Sequence, residues 1–210
     1  MAPLSKADSR IAILCGGSKE EHELSLQGGR CMFDVLRERG YSVTMVKLGM
    51  DPDKRRDELF AALVDVVDDD AAEPRRRIVP RFSVAVNGLH GAYGEDGVVQ
   101  GALEALRIPY TFSGPSTGAI GSDKVLSKRY LAGCGIIQPV PGGVLLANQP
   151  LPATLPTGFP LMLKDPLMGC SKGVWKCENR EDLLSKLKLC KSPQVLNYCY
   201  YHCYYSLFNP

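Results

Sequence analysis

Four stretches of the chain hold residue types able to act on a small charged ligand. The first is GGSKEEHELS, residues 16–25. Two glycines precede Glu21 and His22 there, and the pattern predicts the first turn of a helix. A helix start offers free amides and the positive end of the dipole. A carboxylate at Glu21 that points into a cleft would hold an ammonium group, not a phosphate. Glu20 and Glu23 read as charges that cap and solvate the helix. The second stretch is LHGAYGEDGVVQG, residues 89–101, which sets His90, Glu95, Asp96 and Gln100 among glycines. A lone histidine is most often a satisfied structural group, but a glycine-rich loop after a strand is where binding groups gather. With no second histidine nearby in sequence, a metal site is not indicated. The third stretch is SDKVLSK, residues 122–128, with Lys124 and Lys128 on one helix face. Lys128 reads as an ordinary surface charge. The fourth is KDPLMGCSKGVWK, residues 164–176, where Lys164 ends an apolar run and Gly169 and Gly173 follow. Glycines let backbone amides approach an anion, and a lysine pairs with phosphate as a point charge. A glycine hairpin between two strands explains that stretch nearly as well. Neither the Walker A spacing nor the dinucleotide fingerprint G-x-G-x-x-G is present.

These stretches need a scaffold, and the apolar pattern predicts one. Residues 11–15 (IAILC) form a short apolar run that ends at Gly16 and Gly17, as a buried strand does. Ser18 and Glu21 have capping-box spacing, so a helix is expected from there to Arg39, with Gly40 ending it. Residues 41–48 read as a second strand, and 52–67 as a helix on the spacing of Leu59, Leu63 and Val66. A strand over 82–87, a helix over 98–107 and a short strand over 109–112 follow. Strands alternating with helices predict a parallel sheet with crossovers, whose ligands collect at the carboxyl ends of its strands. The loops GGSKEEHE, GLHGAYGEDG and FSGPS are therefore expected to converge. Beyond residue 113 the pattern changes. It predicts a helix over 116–134, strands over 143–147, 160–163 and 174–177, and a helix over 180–189. A boundary is expected near residues 113–115. The segment 191–210 is rich in tyrosine and cysteine and is expected to pack poorly.

Composition bounds the function. The formal net charge of +2 and the compensated runs at 68–70 and 75–77 give no basic patch for nucleic acid or acidic membranes. The amino terminus lacks the apolar core of a secretory signal, and no apolar run is long enough to span a bilayer. A cytoplasmic location is expected. The cysteines at 15, 31, 134, 170, 177, 190, 199 and 203 include no C-x-x-C pair. Most of them read as small buried apolar residues in a reducing compartment.

In chain order, GGSKEEHELSLQGGR, LHGAYGEDGVVQGALEALRIPYTFSG, SDKVLSKRYLAGCG and GFPLMLKDPLMGCSKGV resemble the D-alanine–D-alanine ligase family of ATP-grasp enzymes. The resemblance covers roughly residues 10–190. It implies an α/β fold: a parallel, Rossmann-like pre-ATP-grasp domain over 1–113, an incomplete ATP-grasp domain over 114–190, and an atypical tail over 191–210. The implied chemistry joins two D-alanines for peptidoglycan through an acyl phosphate made from ATP. By resemblance, Glu21 holds the first D-alanine ammonium and His90 lies near its carboxylate. Lys124 and Lys164 meet the ATP phosphates, and Gly169, Ser171 and Gly173 belong to the loop that covers them. Cys170 stands where the family has a serine that hydrogen-bonds toward the catalytic glutamate.

The sequence also departs from the family pattern. Asp165 replaces a proline, Met168 a glutamate and Cys170 a serine, and a thiol is a weak donor. Asp165 is expected to be unfavourable beside phosphates unless paired. Val195 and Leu196 match the start of the adenine-binding strand, but Asn197 stands where a glutamate is expected. Family ligands for magnesium are not found, so this chain is expected to make no D-alanyl-D-alanine while retaining weak ATP or D-alanine binding. Other readings stay open: a pseudoenzyme, a regulatory or dimerising module (a homodimer is compatible), or an ATP-grasp ligase for another D-amino acid. A Cys199/His202/Cys203 metal site is the sharper reading of the tail and is set aside for want of a fourth ligand.

Overall fold

The computed structural model describes residues 6, 9–68, 76–136, 142–145, 150–155, 158–169, 172–190 and 196–200. The chain divides into two compact units, Met1–Ala119 and Ile120–Pro210.

The first unit is built on β1 (Arg10–Gly16), which is buried along all but its first residue. That burial fits a central strand of a parallel sheet, covered on both faces. Strand β2 (Ser42–Leu48) and strand β5 (Val84–Asn87) flank it, both parallel, in the order β2-β1-β5. The 109–112 segment, expected as a strand, contributes only an isolated parallel bridge between Ala85 and Tyr110. Helix α1 (His22–Glu38) approaches β1 closely at Gly29, where an added Cβ would lie 2.7 Å from the Cys15 Cβ. Helix α2 (Pro52–Leu63) is capped by Asp51, whose side chain accepts from the Asp53 amide. It ends four residues before the expected limit. The β-branched run from Val64 turns extended and forms β3 (Val64–Asp68), paired antiparallel with β4 (Arg76–Pro80). Helix α3 (Val98–Ala105) lays Val99 and Leu103 into a core with Ala12, Leu14, Leu48, Leu59, Leu63 and Ile108.

The expected helix over 116–134 is two helices, α4 (Pro115–Ser122) and α5 (Lys124–Gly133). Asp123 separates them because it is extended and its carboxylate accepts from the Val125 and Leu126 amides, which starts a new helix.

The second unit is an antiparallel sheet in the order β6-β9-β7-β8, from β6 (Gly142–Leu145), β7 (Leu161–Lys164), β8 (Val174–Cys177) and β9 (Leu196–Tyr200). Helix α6 (Arg180–Leu187) packs Leu183 against Leu145, Leu161, Leu163 and Cys177. The expectation that the tail lacks partner strands is corrected over Leu196–Tyr200, since β9 lies between β6 and β7. Its backbone finds ladder partners on both edges, which outweighs its unusual composition. Residues 191–195 and 201–210, with His202 and Cys203 of the metal reading, lie outside the described residues. Among the described residues no helix is long and apolar enough to cross a membrane.

Candidate functional site

In the first unit the site grows from the end of β1. Gly16 and Gly17 have φ of 91° and 83°, and a side chain on Gly16 would run into the Leu48 carbonyl. The Gly17 amide donates to that same carbonyl at 2.9 Å. The turn therefore throws residues 18–21 across the sheet end, toward the loop that follows β5. The two loops are joined by a parallel bridge between Gly17 and His90. Ser18 was expected to cap α1. Instead its hydroxyl donates to the His90 carbonyl at 3.2 Å, and the helix begins at His22 with Glu21 as the residue before it. Glu21 makes no side-chain cap hydrogen bond to α1. It lies against Gly91, where an added Cβ would collide with Glu21 Oε2. The Glu21 carboxylate thus lies against the residue that follows His90, at the carboxyl end of the sheet.

The rest of the second loop holds that arrangement. Glu95 accepts from the Gly91 amide at 3.0 Å and stands 3.8 Å from His90 Nδ1. Asp96 accepts from the amides of Tyr93 and Val98 at 2.7 and 3.1 Å. Gln100 and Asn87 both donate to the Gly94 carbonyl, at 2.6 and 2.8 Å. These side chains organise the loop. The third loop also arrives: the Asn87 amide donates to Thr111 Oγ1, and Gly97 and Gly118 leave room for close backbone packing between residues 95–97 and 115–118.

One residue of this region carries no motif. Arg55, on α2, is 5% exposed. Its Nε donates to Gly49 O at 3.0 Å, and its Nη2 to Met50 O at 2.8 Å and to Gly17 O at 3.4 Å. The guanidinium lies 5.2 Å from the Tyr93 ring centre. Burial pushes the Tyr93 phenol above its ordinary range, and Arg55 opposes that. Arg55, Leu59 and Leu63 share a helix face, so the i, i+4, i+8 spacing was the available signal.

In the second unit the quoted loop after β7 is closed by backbone bonds. Asp165 N donates to Gly173 O at 2.8 Å, and Lys172 N to Gly169 O at 2.9 Å. Asp165 is buried, and its carboxylate accepts from the Leu167 amide at 3.1 Å, a local turn that a proline could not make. Gly173 has φ of 65°, and a Cβ there would sit 2.9 Å from the Asp165 Cβ. The Lys124 ammonium donates to the carbonyls of Asp165 and Pro166, at 3.1 and 3.3 Å, and to that of Met168. Burial lowers the Lys124 pKa, with Asp165 opposing and Lys164 adding to the shift. Lys164 ends β7, half-buried and paired in register with Val174. Cys170 and Ser171 lie outside the described residues. Among the described residues no three His, Cys, Asp or Glu side chains are grouped to hold a metal ion.

Chemically, the first unit offers a carboxylate and an imidazole at a helix start, suited to a small zwitterion. The second offers two lysines beside a glycine turn, suited to phosphate. Residues 10–113 match the family described as D-ala D-ala ligase N-terminus. The chain is 38% identical over 179 residues to the D-alanine–D-alanine ligase of Alkalilimnicola ehrlichii, covering 84% of this chain and 50% of that one. It is 39% identical over 165 residues to that of Azorhizobium caulinodans, covering 79% and 46%. A crystal structure of the Bacillus anthracis D-alanine–D-alanine ligase matches with a TM-score of 0.73 at 27% identity, over 93% of this chain and 58% of that one. The same enzyme complexed with ATP matches with a TM-score of 0.72 at 26% identity, over 93% and 59%. The chain spans about half the length of the curated relatives it matches.

Proposed function

We propose, on the premise that the chain belongs to the D-alanine–D-alanine ligase family through residues 10–113, that it binds D-alanine and ATP for ATP-dependent ligation of two D-alanines. The domains proposed are a ligase amino-terminal domain over 1–113, the first part of an ATP-grasp domain over 114–190, and a tail over 191–210 whose residues 196–200 supply the inner strand β9 of the second unit's sheet. The observation that carries the functional reading is the Glu21 carboxylate lying against Gly91, beside His90, at the end of a parallel sheet. Gly91 lets the carboxylate approach the loop backbone, and the half-buried position strengthens a charge-assisted hydrogen bond to an ammonium.

In the proposed reaction the D-alanine carboxylate oxygen attacks the γ-phosphorus of ATP. The bond from that phosphorus to the β,γ-bridging oxygen breaks, and ADP leaves. The second D-alanine amine then attacks the acyl carbon, loses a proton and expels phosphate. Glu21 fixes the ammonium of the first D-alanine, so the carboxylate points away from that anchor, and His90 lies near it. Lys164, the Gly169 and Gly173 amides and Ser171 take the phosphates. Lys124 joins them on exchanging a loop carbonyl for a phosphate oxygen. Magnesium supplies charge neutralisation on the transferring phosphate in such reactions. Among the described residues no three His, Cys, Asp or Glu side chains are grouped to hold it.

The test is isothermal titration of the full chain with D-alanine and separately with ATP, beside Glu21→Gln and Lys164→Ala. Glu21→Gln is expected to weaken D-alanine by about tenfold or more, since hydrogen bonds to charged groups contribute about 1.5–3 kcal/mol. It should leave ATP unchanged. Lys164→Ala is expected to do the reverse. D-alanine affinity unchanged by Glu21→Gln would sink the site assignment.

A further inference from the structure

We propose that Arg55 is a positioning residue for the Glu21–His90 site, holding the ends of β1 and β2 and the 88–97 loop in one arrangement. The proposal rests on the reading that this site receives the D-alanine ammonium.

A guanidinium is planar and offers five N–H donors in a fixed fork. Arg55 uses that fork on the main chain. It reaches Gly49 O and Met50 O after β2, and Gly17 O after β1. Its guanidinium carbon lies over the ring of Tyr93 in the 88–97 loop, 5.2 Å from the ring centre. Three separate segments therefore share one buried side chain. The grip on the β2 end is doubled, because Glu58, three residues on along α2, accepts from the Gly49 amide at 2.6 Å. Two neighbouring α2 side chains hold the N–H and the C=O of the same residue.

Two of the Arg55 contacts flank the proposed site. Gly17 bridges to His90, and its carbonyl lies 3.3 Å from His22 Nδ1 at the start of α1. Tyr93 is two residues beyond Gly91, against which Glu21 lies, and has a φ of 77° that a tyrosine seldom adopts. A side chain that pins Gly17 on one side and Tyr93 on the other sets the separation between Glu21 and His90. It touches no ligand itself. Lysine keeps the charge but has no planar fork, and methionine keeps only the apolar stem.

The experiment measures amide hydrogen exchange by NMR and D-alanine affinity on the full chain and on Arg55→Lys, Arg55→Met and Glu21→Gln. Both Arg55 variants are expected to speed exchange at least tenfold at Gly17 and Tyr93, while Ile13 and Leu14 in β1 stay protected. Both are expected to weaken D-alanine at least tenfold. Glu21→Gln is expected to lose binding with exchange at Gly17 unchanged, which separates a ligand contact from a positioning effect. Affinity held by Arg55→Lys would reduce the role to charge alone and overturn the proposal. Unchanged exchange at Gly17 and Tyr93 would overturn it too, as would equal loss of protection throughout β1. If Arg55→Met does not fold, Arg55→Lys decides. If the parent binds no D-alanine, the functional reading fails on its own, and the exchange comparison still judges Arg55.

Discussion

Ser25 is fully buried, accepts from the Gly16 amide at 2.9 Å and donates to the Gly88 carbonyl at 2.6 Å. One hydroxyl thus ties α1 to the ends of β1 and β5, just beneath the Glu21–His90 site. Ser25→Ala removes both bonds at once and leaves a buried donor and a buried acceptor unpaired. An unsatisfied buried group costs about 1–3 kcal/mol, so the urea midpoint is expected to fall by an amount in that range with little change in slope. A midpoint within error of the parent would mean the loops relax to find other partners. Gln100 is the reverse case. It is buried, its Oε1 has no partner among the described residues, and the Gly94 carbonyl it serves also accepts from Asn87. Serine at 25 was legible only as one letter of a motif, because its partners lie 9 and 63 residues away in sequence.

Among the elements, α6 shows how local chemistry starts a helix. Asn179 accepts from the Asp182 amide at 2.8 Å, and Asp182 accepts from the Glu178 amide at 3.0 Å. Lys186, one turn on, pairs with Asp182 at 2.8 Å. The Lys186 hydrogen bond, then the Glu178 amide, hold the Asp182 carboxyl below its ordinary value. A carboxyl depressed in the fold stabilises above its unfolded pKa, and that contribution fades as pH falls through the folded value. Stability is therefore expected to drop on acidification below about pH 4, the ordinary carboxylate range. In Asp182→Asn that part of the drop should be missing. Thermal melts of both proteins between pH 3 and 6 make the comparison, and parallel curves would refute it. The start of this helix could be read from sequence, since Asn, Asp and Lys act within eight residues. The break at Asp123 was equally local, but it was hidden by apolar spacing that continues across it.

Each of the two units carries its own apolar core, one around Leu59, Leu63 and Leu103 and one around Leu161, Leu163 and Leu183. Trp175, the sole tryptophan, packs against the second core and faces Leu163 across the β7–β8 pair. Leu163→Ala removes a fully buried side chain, a change that costs about 2–5 kcal/mol. The unfolding midpoint read by Trp175 fluorescence is expected to fall accordingly. Leu103→Ala makes the same chemical change in the first core, and its larger effect is expected on the far-ultraviolet dichroism of the β1 unit. A Trp175 midpoint indifferent to Leu163→Ala would contradict the core described for the second unit.

What could be read from the chain alone was local or periodic. The buried run of β1, the glycines that stop it, the alternation that makes a parallel sheet and the motifs around Glu21 and His90 all lie within a few residues of their signals. Those features rest on backbone conformation and side-chain period, which act over one or two turns. Folding added what depends on distant partners. Ser18 turned from its own helix to His90, Asp165 from the surroundings of a phosphate to an amide of its own loop, and Lys124 to that loop's carbonyls. Residues 196–200 became an inner strand because β6 and β7 both present free edges to them. Arg55 became a hub of three segments. In each case a buried polar group must find a partner wherever the chain brings one, and spacing along the sequence does not encode that meeting.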